Sequence, residues 1–137
     1  MLPSNLLASK GQYLVSVIDD EVDLVYLFKE ALSQIKDIDV LAFSDPKLAL
    51  KHFQKNSEYY QAVITDFRMT HMTGLELLSK IRDVKPAVRR ILISAFEIQI
   101  DLFQDCDCVD QFLQKLISMI DLINGVEKLV TKTNAVV

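Results

Sequence analysis

Residues 13–20 read YLVSVIDD: Tyr13 to Ile18, mostly apolar and β-branched, then two carboxylates, Asp19 and Asp20. A short apolar run without strict alternation predicts a strand covered on both faces, and strands of that kind belong to parallel sheets. The same arrangement recurs three times. Asp66 follows Ala62–Thr65, Ser94 follows Arg90–Ile93, and Lys115 comes at the end of the run Val109–Leu113. In an open parallel α/β sheet, ligands bind outside the carboxyl ends of the strands, where the strand order reverses. Carboxylates, a hydroxyl and an ammonium group gathered there suit a divalent cation and an anion such as a phosphoryl group.

The intervening segments carry apolar residues at helical spacing. Leu24, Leu27, Phe28, Ala31, Leu32 and Ile35 predict a helix over 22–35, and Ile38–Phe43 a second strand. Ser44 is a natural cap for the next helix, with Pro46 in its first turn. That helix runs to about Lys55 and buries Leu48, Ala49 and Phe53. Gly74 lies in a loop or first turn ahead of a third helix built on Leu75, Leu78 and Ile81, which Lys85-Pro86 ends. A short fourth helix covers Glu97 to about Gln104. The last runs from Ile117 to Val130, with Ile120, Ile123 and Val126 inward. Five βα units predict an α/β fold with a five-stranded parallel sheet, flavodoxin-like and doubly wound, in the strand order 2-1-3-4-5. In that order the first and third strands are neighbours, so Asp19, Asp20 and Asp66 converge.

At 137 residues the chain reads as one domain over 12–130, with tails at 1–11 and 131–137. Half-hydrophobic and one-quarter charged, it has the composition of a globular protein rather than a disordered one. A formal net charge of −4 and no basic cluster speak against direct nucleic-acid binding. No stretch reads as a signal peptide or a membrane span, so a cytoplasmic protein with no membrane contact is expected. Cys106 and Cys108 are poorly spaced for a disulfide in a strand and read as small, reduced, near-core residues. His52 and His71 read as solvated.

On these residues the chain resembles the receiver domains of two-component response regulators, of the chemotaxis-receiver kind. The acidic pair Asp19-Asp20 before Glu21 matches the first motif of that family. Asp66-Phe67-Arg68-Met69 and Met72-Thr73-Gly74-Leu75-Glu76-Leu77 resemble the stretch around its phosphorylated aspartate. Ser94-Ala95 matches the switch hydroxyl and its small neighbour, and Phe112-Leu113-Gln114-Lys115 the aromatic and the lysine of the fifth strand. The likeness covers about residues 12 to 130. Departures are Thr70, where a proline often follows Met69, Leu116, where a proline usually follows the lysine, and Cys106-Asp107-Cys108, in place of a glycine-containing turn. A cis bond before leucine would cost roughly 2.5–4 kcal/mol, so a trans Lys115–Leu116 bond is expected.

The resemblance implies a phosphoacceptor module rather than an enzyme, one that assists its own phosphorylation and dephosphorylation. Asp66 would be the nucleophile and the phosphorylated residue, with Ser94 and Lys115 completing the catalytic set. The implied cofactor is Mg²⁺, held directly by Asp20 and Asp66, through water by Asp19, and by the backbone carbonyl of Arg68. Ser94 and Phe112 would form the switch. Glu21 reads as a first-turn helix residue that favours the dipole. Implied partners are a sensor histidine kinase or phosphotransfer protein and a downstream protein target. A homodimer through the fourth helix, fifth strand and fifth helix is also left open.

Three other readings compete. A pseudo-receiver would keep the fold and work as an interaction module without phosphate, and the intact set Asp19, Asp20, Asp66, Ser94 and Lys115 speaks against it. A Mg²⁺-dependent aspartyl phosphatase of the haloacid-dehalogenase type places its two acids as Asp-x-Asp, whereas this chain reads Asp19-Asp20-Glu21. An FMN-binding flavodoxin-like protein needs a Ser/Thr/Gly phosphate loop after the first strand, where this chain has acids.

Overall fold

The computed structural model describes residues 13–94, 107–114 and 119–134. Five strands, β1 (Tyr13–Ile18), β2 (Ile38–Phe43), β3 (Tyr60–Asp66), β4 (Arg89–Ser94) and β5 (Gln111–Gln114), alternate with helices α1 (Val22–Leu32), α2 (Pro46–Asn56) and α3 (Gly74–Val84) and a C-terminal helix (Met119–Asn134). All strand pairs are parallel, and the order is β2-β1-β3-β4-β5. This is the flavodoxin-like α/β fold expected from the sequence. The expected fourth helix lies outside the described residues.

Every residue of β3 is buried, as the central strand of a sheet covered on both faces requires. One apolar layer joins Val15, Val17 and Ile64 of the sheet to Val25, Phe28 and Leu32 of α1 and Val126 of the C-terminal helix. The other joins Leu14, Ile18, Val63 and Leu92 to Phe53 of α2 and Leu77, Leu78 and Ile81 of α3. Strand residues alternate between the layers because successive side chains point to opposite faces.

Several local expectations are corrected. Leu27 and Leu48, both expected inside, are 52% and 58% exposed. The buried stripe of α1 is Val25, Phe28, Ala31 and Leu32, and that of α2 is Pro46, Ala49, Phe53 and Asn56. Leu27 and Leu48 each sit one residue off these stripes, about 100° around the helix. α1 stops at Leu32 rather than Ile35, and the chain reverses at Asp37, in the left-handed region at φ 67°. α2 is capped by Asp45, not Ser44: the Asp45 carboxylate accepts from the Lys47 amide at 2.9 Å. β5 begins at Gln111 rather than Val109. His52 is half-buried, with Nδ1 2.8 Å from the Tyr60 hydroxyl. Burial lowers the pKa of His52 and raises that of the Tyr60 phenol, which also bonds Ser16 of β1. His71 is exposed, as expected. Cys108 is fully buried and disulfide-bonded, not reduced; Cys106 lies outside the described residues.

β5 is late because Arg90 holds the turn before it. The Arg90 amide donates to Asp110 Oδ2 at 2.7 Å, and the Asp110 amide donates to the Arg90 carbonyl at 2.7 Å. The guanidinium, on a side chain only 5% exposed, donates to the carbonyls of Cys108 (2.9 Å), Pro86 (2.8 Å), Val88 (3.0 Å) and Asp107 (3.3 Å). A buried charge is tolerated when its donors are matched in this way. Lys85, the C-cap of α3, does similar work, donating to the carbonyls of Ser57 (3.0 Å) and Tyr60 (3.2 Å) at the start of β3.

Gly74 opens α3 with Thr73 as its cap, and its amide donates to the Phe67 carbonyl at 2.7 Å. A Cβ here would strike the Asp66 carbonyl oxygen and lie 2.7 Å from Leu92 Cδ1. The glycine is needed for this close approach.

Two outcomes follow from these contacts. Arg90→Met keeps the apolar stem but leaves several carbonyls without donors, so it should lower the unfolding free energy in urea by about 3 kcal/mol. Arg90→Lys should recover only part of this, since a point ammonium cannot serve four carbonyls at once. Gly74→Ala should cost about 1–3 kcal/mol by overpacking, measured the same way. A neutral result at Gly74 would show that α3 shifts freely relative to Asp66.

Candidate functional site

Strand register brings the acids together. Ile18 pairs with Thr65, so Asp19 and Asp66, each the next residue, leave neighbouring strands at the same level. Asp19 is held by its backbone, which donates to the Phe43 carbonyl of β2 at 3.1 Å, and its Oδ1 accepts from the Glu21 amide at 2.9 Å. This bond satisfies an amide at the start of α1, where Glu21 is the N-cap rather than a first-turn residue. On the far side of β3, the Phe67 amide donates to the Ile93 carbonyl at 2.8 Å, and the Thr65 hydroxyl donates to the Asp66 carbonyl at 3.0 Å. Asp66 is thereby fixed at the point where its strand ends.

Asp19, Asp20 and Asp66 each present a carboxylate oxygen, and these oxygens lie within 4.8 Å of one another. Asp19 is 1% exposed and Asp66 7%, while Asp20 faces solvent. Like charges this close repel one another. A bound cation removes the conflict. Three hard oxygen donors with one side open to water are the donor set of a small divalent ion such as Mg²⁺, which binds through a few carboxylates and retains water ligands. The residues present fit that ion.

The other candidate residues are placed as follows. Ser94 ends β4, one residue beyond Ile93, the register partner of Asp66, and is 7% exposed. It therefore stands at the same sheet end as the acids. Arg68 is exposed in the loop after β3. Phe112, on β5, is half-buried and packs against the layer containing Leu92 and Cys108. Gln114 pairs with Ser94; Lys115, the next residue, lies outside the described residues, as do Leu116 and its peptide bond.

One contact at the site was not read from the sequence. The Thr70 hydroxyl donates to Asp20 Oδ2 at 3.5 Å. The signal available was Thr70's standing where the resembled family often has a proline, since a proline has no side-chain donor to offer.

Comparisons with known proteins agree with this fold. The receiver domain of a response regulator from Clostridium thermocellum superposes with a TM-score of 0.80 at 22% identity, over 91% of this chain and 99% of that one. A Francisella response-regulator receiver domain gives 0.74 at 26% identity, over 89% and 99%. A CheY-like receiver domain protein from Methanospirillum hungatei gives 0.80 at 15% identity, over 90% and 98%. Among curated proteins nothing matches. Among the described residues, no helix is long and apolar enough to cross a membrane. The sequence profile of the response regulator receiver domain matches residues 15–127, a span that takes in the register-matched acids of β1 and β3 and the hydroxyl of β4, and the chain belongs to that family.

Proposed function

We propose that this receiver domain accepts a phosphoryl group on Asp66 from a histidine kinase or phosphotransfer protein and signals through a change at its surface. The observation that carries the reading is the meeting of Asp19, Asp20 and Asp66 within 4.8 Å at the carboxyl end of the sheet. Asp66 is the nucleophile: its carboxylate oxygen bonds to phosphorus as the bond from phosphorus to the donor's nitrogen or oxygen breaks, leaving an acyl phosphate. Such transfers need positioning and charge neutralisation more than covalent help. The Thr65 hydroxyl on the Asp66 carbonyl and the Phe67 amide on the Ile93 carbonyl supply the positioning. Ser94 donates its hydroxyl to a phosphoryl oxygen, and Lys115, one residue past β5, pairs its ammonium with another.

Asp20 and Asp66 would hold Mg²⁺ directly, with Asp19 acting through water and the Arg68 carbonyl as a further ligand. Bound there, Mg²⁺ supplies positive charge against the carboxylates and the phosphoryl oxygens. Ser94 and Phe112 form the switch. A phenylalanine has no hydroxyl, so a change there is one of packing against Leu92 and its neighbours rather than of hydrogen bonding. The module acts in the cytoplasm, and its output is contact with a protein target.

Incubation with acetyl phosphate and Mg²⁺ should add one phosphoryl group by intact mass, and Asp66→Asn should abolish it. A phosphoryl group mapped elsewhere, or none with any donor, would instead favour an interaction module that works without phosphate. Mg²⁺ should also raise the melting temperature. An ion bound only by the folded state at a hundred times its dissociation constant stabilises by about 2.7 kcal/mol. Asp20→Ala should remove that response; an equal rise in both proteins would place the ion elsewhere.

A further inference from the structure

We infer that Thr70 is a positioning residue for Asp20, holding its carboxylate for the divalent cation; this rests on the metal-site reading above. The two side chains are 50 residues apart in sequence and meet only because the loops after β1 and β3 face each other. Of the three acids, Asp19 and Asp66 are buried and carried by strand ends, whereas Asp20 lies one residue beyond the strand and faces solvent. An exposed aspartate turns readily about its side-chain bonds, so a ligand in that position gains from a tether.

Thr70 stands on a loop built to provide one. The Gly74 amide closes the loop onto the Phe67 carbonyl at 2.7 Å. Met69, just before Thr70, places its Sδ 3.6 Å from the Thr65 hydroxyl. His71, just after it, is left-handed at φ 76°. Histidine is among the residues enriched there, and the conformation turns the chain sharply. Thr70 therefore lies between a residue that touches β3 and a sharp turn of the chain.

The chemistry sets the direction of the bond. A carboxylate only accepts, so the hydroxyl donates. It occupies one of about four lone-pair positions and leaves the others for the ion. Outer partners of this kind orient metal ligands, and losing them commonly weakens binding by about tenfold or more. At 3.5 Å on an exposed side chain this bond is long, so the effect belongs at or below the low end of that range.

Mn²⁺ titration of the full chain, with free ion followed by electron paramagnetic resonance, tests the assignment. Thr70→Val keeps the shape and removes the donor; it should raise the dissociation constant by about three- to tenfold. Thr70→Ser should stay within about twofold of wild type, because the hydroxyl and not the methyl is the working group. Melting temperatures without metal should be the same for all three, as expected of an exposed residue. Wild-type affinity in Thr70→Val, or equal weakening in Thr70→Ser, would overturn the role of Thr70 and leave the metal site standing. Wild-type protein that binds no Mn²⁺, or an Asp20→Ala variant that binds it undiminished, would overturn the metal-site reading and this one together.

Discussion

The parallel register of β1 against β3 is the constraint on which the site depends. With Ile18 opposite Thr65, the next residues on both strands are aspartates at the same level. A slip of one residue would send either side chain to the other face of its strand. That register is fixed by the core: β1 and β3 are each buried on both faces, and every alternate side chain has a place in one of two apolar layers. The energy that sets the register is thus hydrophobic, while its consequence is electrostatic. Three carboxylates are held closer than they would choose to be.

Burying like charges is costly, and a fold that does so stores a preference for whatever relieves the cost. At this sheet end a cation is the simplest relief. A cation there would also suit the unequal burial of the acids. Asp19 and Asp66 are enclosed and held by backbone contacts, so they define a fixed position. Asp20 faces water, where an ion with its remaining hydration shell would approach.

Two loops complete the frame, and each is fixed by contacts remote in sequence. After β3 the chain returns to Gly74, whose missing side chain lets α3 start directly against the Asp66 carbonyl and Leu92. Before β5, the turn carrying Cys108 is gripped by the Arg90 guanidinium from the opposite end of β4. The first loop holds the Asp66 side of the site. The second sets where β5 begins, and so which residues of β5 lie opposite Leu92 and Ser94: Phe112 and Gln114.

The sequence by itself determined the class of fold, the strand order and the acids of the site. Apolar runs and helical spacing are local patterns, and the reactive residues sit directly at the ends of the runs that carry them. Tertiary structure decided what depends on neighbours. Leu27 and Leu48 looked like core residues because spacing shows that a helix has an apolar stripe but not where its edge falls; packing against the sheet drew that edge one residue away. Arg90 was legible only as the first residue of the fourth strand run, and its burial needed carbonyls from a turn 17 and 18 residues further on. Cys108 looked reduced because strand geometry was assumed where the chain makes a turn. Thr70 looked like a substituted loop position until the fold set it beside Asp20. Local patterns record what a residue prefers, but a hydrogen bond across 50 residues exists only once the sheet has brought two strand ends together.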